Sequence, residues 1–109
     1  MTTDTLRQLP QKTFGKVVTT TGVAENVPAP LISRLLERHF SNDWGDLDAE
    51  DAELNAAAIN AGSGRVMSNY SWPGLFPQRI YIISYLESDP DYQDDPNACY
   101  TCVLFPSEY

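Results

Sequence analysis

Three groups of side chains in this chain have the types and spacing to do chemistry. The first is Cys99-Tyr100-Thr101-Cys102, a C-x-x-C pair. A redox pair of this form works from a helix N-terminus, which lowers the thiol pKa. Here the pair falls in a run that reads as a strand, where positions three apart point to opposite faces. A zinc site needs about four ligands, and the chain offers no second cysteine pair and a single histidine. Reduced core or surface thiols fit the pattern better than a redox or metal centre.

The second group is His39 with Asp43, Trp44 and Tyr70. A His–Asp pair can orient an imidazole for general acid or base work. Neither G-x-S-x-G nor H-E-x-x-H accompanies it. A single His ending an amphipathic helix is more often a structural hydrogen-bonding residue, or a favourable charge at the helix C-terminus. The two readings separate cleanly. A small enzyme or ligand-binding site needs a concave pocket around these four residues, and a fully packed His39 speaks for structure.

The third group is acidic. Asp46, Asp48, Glu50, Asp51 and Glu53 form one run, and Glu87, Asp89, Asp91, Asp94 and Asp95 form another. The alternation Asp46-x-Asp48-x-Glu50 invites a calcium reading. Asp51, however, stands where an EF-hand loop needs Gly, and Ala57 where it needs the bidentate Glu. Asp89-x-Asp91-x-Gln93 fails similarly, with Tyr100 in the last place. Gly62-Ser63-Gly64 is too short for a phosphate-cradling loop, and it follows a helix instead of preceding one. No metal and no cofactor are expected.

Charge narrows the partners. The chain has 109 residues and a formal charge of −8. That balance argues against nucleic acid or an anionic membrane as a direct partner and favours the basic surface of a protein, or a cation. No Lys or Arg lies between Phe40 and Gly64, and none follows Arg79. No run approaches the ~18 apolar residues of a membrane span. The first ten residues lack the pattern of a signal peptide, so a cytoplasmic location is the default expectation.

The elements that must position these groups read as α+β, in the order β-α-α-β-β-β. Residues 1–12 read as a flexible N-terminus and 13–109 as a single domain. Thr13 to Thr21 is predicted as a first strand ended by Gly22, with a loop from Val23 to Pro30. A helix is predicted from Pro30 to about Phe40, with Leu31, Ile32, Leu35, Leu36 and Phe40 on its apolar face. Ser41 to Leu47 is a tight loop, in which Gly45 can take a positive φ and Trp44 covers the core edge.

Asp48 is a good N-cap for a second helix, with Asp51 placed to complete a weak capping box. Leu54, Ala57, Ala58 and Ala61 are its expected apolar face, and Gly62 or Gly64 its C-cap. Strands are predicted at Arg65–Tyr70, Gln78–Leu86 and Cys99–Phe105, as an antiparallel meander with two helices packed on one face. Ile80, Ile82, Ser84 and Leu86 share one side of the middle strand, and Tyr81, Ile83 and Tyr85 the other. Trp72, Phe76 and Tyr92 are candidates for an exposed dimer surface.

Gly15-Lys16-Val17-Val18-Thr19-Thr20-Thr21-Gly22, Leu35 to His39, and Asp43-Trp44-Gly45-Asp46-Leu47 form a recognisable pattern. Asn55, Gly64-Arg65, Ser68-x-Tyr70, Ile80-Tyr81-Ile82-Ile83 and the ending Leu104 to Tyr109 extend it over most of the chain. The pattern resembles a family of small bacterial proteins encoded on plasmids and other mobile elements. Asn42 departs from the family's Gly-Asp-Trp-Gly, and a longer acidic loop with two Cys replaces its threonine-rich turn. Some members are labelled as the M subunit of a type I restriction enzyme. This chain is too short for a methyltransferase and has no Asn-Pro-Pro-Tyr-like motif. The resemblance therefore implies, by analogy, a protein acting near defence systems.

Three functional expectations follow. One is an acidic binding module that inhibits a nucleic-acid-handling defence complex, of the restriction or CRISPR kind, by presenting the two acid runs as a DNA mimic to a groove built for phosphates. Another is the small enzyme or ligand-binding protein around His39. A blander third option is a mobile-element accessory protein whose acids serve solubility alone.

Overall fold

The structure is a computed structural model, and it describes residues 15–71, 79–86 and 100–109. The chain folds as α+β. Strand β1 (Lys16–Thr19) is followed by helices α1 (Thr21–Asn26), α2 (Ala29–Phe40) and α3 (Ala49–Ala61). Strands β2 (Gly64–Ser71), β3 (Arg79–Leu86) and β4 (Tyr100–Leu104) complete the sheet, and Pro106–Glu108 closes with a 3-10 turn. The sheet order is β1-β4-β3-β2. β2, β3 and β4 form the expected antiparallel meander, and β1 joins β4 in parallel.

Strand alternation gives the sheet two unlike faces. Val66, Ser68 and Tyr70, then Ile80, Ile82, Ser84 and Leu86, then Thr101 and Val103 point to the helices and are buried. Val23 of α1, Val27 just after it and Leu35 of α2 pack there with Tyr70, Ile80, Ile82, Val103 and Phe105. Ala58 and Ile59 of α3 pack with Val66 and Leu86, covered by Phe40 and Trp44. The opposite face carries the tyrosines. Tyr85 stacks on Tyr100 at 4.7 Å between centroids, and Tyr81 meets Tyr109 edge-on at 6.0 Å.

Two expectations are corrected. Residues 21–26 form a helix where a strand end and loop were predicted. The Thr20 hydroxyl accepts from the Val23 N–H at 3.2 Å, an N-cap, and burial of Val23 anchors the turn. Gly22 thus lies inside α1 instead of ending a strand, and the order becomes β-α-α-α-β-β-β.

The second correction is the face of α3. Asn55, Ala58 and Ile59 are its buried residues, whereas Leu54 is 63% exposed and Ala57 and Ala61 are exposed. Ile59 is the larger apolar side chain of the helical half-turn facing β2, and the Asn55 amide has to reach the β2 backbone. Together they rotate Leu54 outward. The helix ends are as expected. Asp48 accepts from the Asp51 N–H at 2.8 Å, and Gly62 caps the C-terminus at φ +71°. The Asp51 side chain makes no return bond to the Asp48 N–H, so the cap works in one direction only.

Candidate functional site

The residues from His39 to Tyr70 meet at the β2 side of the sheet. α2 ends there because its C-terminal turn closes on Ser41, whose N–H bonds the Glu37 and Arg38 carbonyls. His39 lies one turn beyond Leu35, so the apolar stripe carries its ring into the core. It is fully buried. Nδ1 lies 2.6 Å from Ser68 Oγ and Nε2 lies 2.8 Å from Ser84 Oγ. Ser84 Oγ lies 2.6 Å from Thr101 Oγ1. A row of side chains thus runs from Ser68 of β2 through His39 of α2 to Ser84 of β3 and on to Thr101 of β4.

Burial pushes the His39 pKa down to about 3, because the charged ring would lose its water. The imidazole is neutral. One ring nitrogen donates and the other accepts, and the two serine hydroxyls take the complementary roles. Every polar atom of the ring is engaged. This row holds sheet to helix.

Asp43 and Tyr70 form a separate junction above it. Arg38 Nε donates to Asp43 Oδ2 at 2.8 Å and Nη2 to Oδ1 at 3.2 Å, a two-pronged pair. Those bonds hold the Asp43 carboxyl below its usual range, with partial burial opposing them. The Arg38 guanidinium lies 4.6 Å from the Tyr70 ring centre. The Tyr70 hydroxyl donates to the Asp43 carbonyl at 2.6 Å, and burial raises its pKa to about 12. The Tyr70 hydroxyl and the Asp43 backbone are thus joined directly, while the His39 ring is held by Ser68 and Ser84. His39 and Tyr70 are inaccessible.

The loop between them seals the sheet edge. The Asn69 N–H donates to the Trp44 carbonyl at 3.0 Å, and the Asp46 N–H to the Asn69 carbonyl at 2.7 Å. Gly45 has φ +71°, and a Cβ there would lie 2.4 Å from the Asn69 carbonyl oxygen. Only glycine fits the approach.

The acids divide by role. Asp46 accepts from Ser71 Oγ at 2.6 Å and lies 3.8 Å from Arg79, and Asp48 caps α3. The carboxylates of Glu50, Asp51 and Glu53 are exposed and, among the described residues, pair with no cation. Helical spacing sets Glu50, Leu54, Ala57 and Ala61 in one outward row, flanked by Asp51 and Glu53. A shallow groove of about 420 Å³ runs beside it, lined by Asp51, Leu54, Ala57, Ala58, Arg65 and Met67 among others. The apolar part of this surface was missed in the sequence, because Leu54 and its alanines read as core.

The second acid run, Glu87 to Asp95, lies outside the described residues, as do Cys99, Trp72, Phe76 and Tyr92. Cys102 sits half-buried on the tyrosine face of β4, where burial raises its pKa. Among the described residues, no three His, Cys, Asp or Glu converge as a metal site. No helix among them is long and apolar enough to cross a membrane. In comparisons with family models, curated proteins and solved structures, nothing matches this chain.

Proposed function

We propose that the chain is an acidic protein-binding module that docks the outward row of α3 on a basic surface of a larger protein. One observation carries the reading: α3 turns Leu54 out to 63% exposure among Glu50, Asp51 and Glu53, acids that have no cation partner among the described residues. A small apolar centre bordered by three acids is suited to a complementary patch, because the centre supplies burial and the acids supply steering. Glu50 and Glu53 lie one turn apart and repel each other by a few tenths of a kcal/mol, roughly. A basic partner would relieve that repulsion.

In its sharpest form the partner is a nucleic-acid-handling defence complex, of the restriction or CRISPR kind, whose phosphate groove the acids occupy. The resemblance to small mobile-element proteins supports this form, and so does the net charge of −8. The small-enzyme reading around His39 finds no support in the packing, because the imidazole is buried and fully hydrogen-bonded.

A plating assay tests the proposal. Phage or plasmid is challenged in cells carrying a restriction or CRISPR system, with the chain expressed or absent. Expression should raise the yield against at least one such system, and the triple variant Glu50→Gln, Asp51→Asn, Glu53→Gln should abolish the effect while remaining folded. Equal protection by the folded triple variant would remove α3 from the account. No protection against any system would remove the defence complex.

A further inference from the structure

The two edges of the sheet are treated differently. On β2 the outward-facing backbone of Met67 is bonded by the Asn55 side chain, and that of Asn69 by the loop at Trp44–Asp46. On β1 no described residue covers the edge, and all four strand residues are exposed. The Thr20 N–H donates to the Val103 carbonyl, so strand alternation turns Lys16 and Val18 toward β4. The N–H and C=O groups of Val17 and Thr19 then point outward. Val17 and Val18 are each 37% exposed, one on each face of the sheet. Such an edge is a template for another strand.

We infer that β1 pairs antiparallel with β1 of a second copy across a twofold axis, joining the two sheets into one, with eight strands among the described residues. Like faces must align, so only pairings of equal parity are allowed. The register centred on Val18 satisfies every outward group. Val17 and Thr19 of the two copies exchange their N–H···O=C bonds, and the two Val18 side chains meet on the tyrosine face.

Charge complementarity favours the second copy over another strand. In this register Lys16 lies directly across from Thr20 of the other copy. The Thr20 hydroxyl donates to Glu108 at 2.7 Å, so a carboxylate already waits beside that position. Each Lys16 ammonium comes within reach of one Glu108, twice per pair. An edge lysine in mid-strand would block pairing; Lys16 stands at the strand's start, where it finds an acid.

The test is sedimentation of the full chain at physiological salt, together with amide hydrogen exchange. At that salt the repulsion between two −8 chains is screened beyond about 8 Å. The expected result is a concentration-dependent dimer in which the Val17 and Thr19 amides become slow to exchange as the pair forms. Val18→Lys should give a folded monomer with those two amides fast. Lys16→Glu should weaken pairing by roughly tenfold, and it decides the matter if Val18→Lys does not fold. A wild type that stays monomeric overturns the inference. So does a dimer with fast Val17 and Thr19 amides, or one that either variant leaves intact. Protected Val17 and Thr19 amides in a monomer would place another segment of the same chain on the edge, and would also overturn it.

Discussion

The side-chain amide of Asn55 grips Met67 from both sides, donating from Nδ2 to the Met67 carbonyl at 2.7 Å and accepting at Oδ1 from its N–H at 3.0 Å. Among the described residues no strand flanks β2 on this side; the amide takes that place, and it fixes the rotation of α3 against the sheet. Leu54 is exposed because Asn55 is not.

Asn55→Leu should therefore cost more than its loss of hydrogen bonds suggests. It leaves two backbone groups of Met67 unpaired beneath a helix, a penalty of about 1–3 kcal/mol for each. Urea unfolding measures it. A neutral Asn55→Leu would mean that water replaces the amide freely.

Gly45 and Gly62 share φ +71° but differ in surroundings. At Gly62 nothing lies within 4 Å of an added Cβ, so Gly62→Ala should lose only about 1–2 kcal/mol of conformational energy. At Gly45 the same methyl meets the Asn69 carbonyl and the Tyr70 ring. Gly45→Ala should be clearly the worse of the two in thermal unfolding and should detach the loop from β2. Equal losses would contradict the close approach.

His39 ties stability to pH. Unfolded, it takes a proton below about pH 6.5; folded, it resists until about pH 3. Between these values the unfolded chain holds more protons, so stability falls as pH drops through the window. The limiting slope from this one group is about 1.4 kcal/mol per pH unit. Wild type should be the more stable at neutral pH, and its advantage over His39→Gln should shrink from pH 6.5 toward pH 4. An advantage independent of pH would mean that His39 can charge in place.

Tyr70 should ionise late. Burial raises its pKa from 10.0 to about 12, so stability falls with rising pH between those values, where the unfolded chain loses the proton first. Tyrosinate absorbance should show a late phase that is missing in Tyr70→Phe. That variant should also lose about 1 kcal/mol with the bond to the Asp43 carbonyl.

The sequence showed some of these relations and hid others for physical reasons. The face of α2 was legible because Leu31, Ile32, Leu35, Leu36 and Phe40 contrast with Arg34 and Glu37. α3 lacks that contrast: its alanines fit either side, and one leucine drew the stripe to the wrong face. The role of Asn55 depends on the register of a strand twelve residues away, which periodicity cannot supply. His39 could be read as a structural hydrogen-bonding residue. Its partners Ser68 and Ser84 come from two strands whose alignment is set only by the folded sheet. α1 was missed because six residues opening on Thr-Gly carry almost no helical signal.

The central claim is tested most directly by a tagged pull-down from bacterial lysate, washed at low and at high salt. The chain is compared with its folded Glu50→Gln, Asp51→Asn, Glu53→Gln variant. The account predicts that wild type captures a nucleic-acid-binding complex, releases it at high salt and to added duplex DNA, and that the variant captures none. Surface charge contacts of this kind are screened over about 10 Å at 0.1 M salt. A complex held equally by the variant, or one indifferent to salt and DNA, would contradict the acidic docking surface.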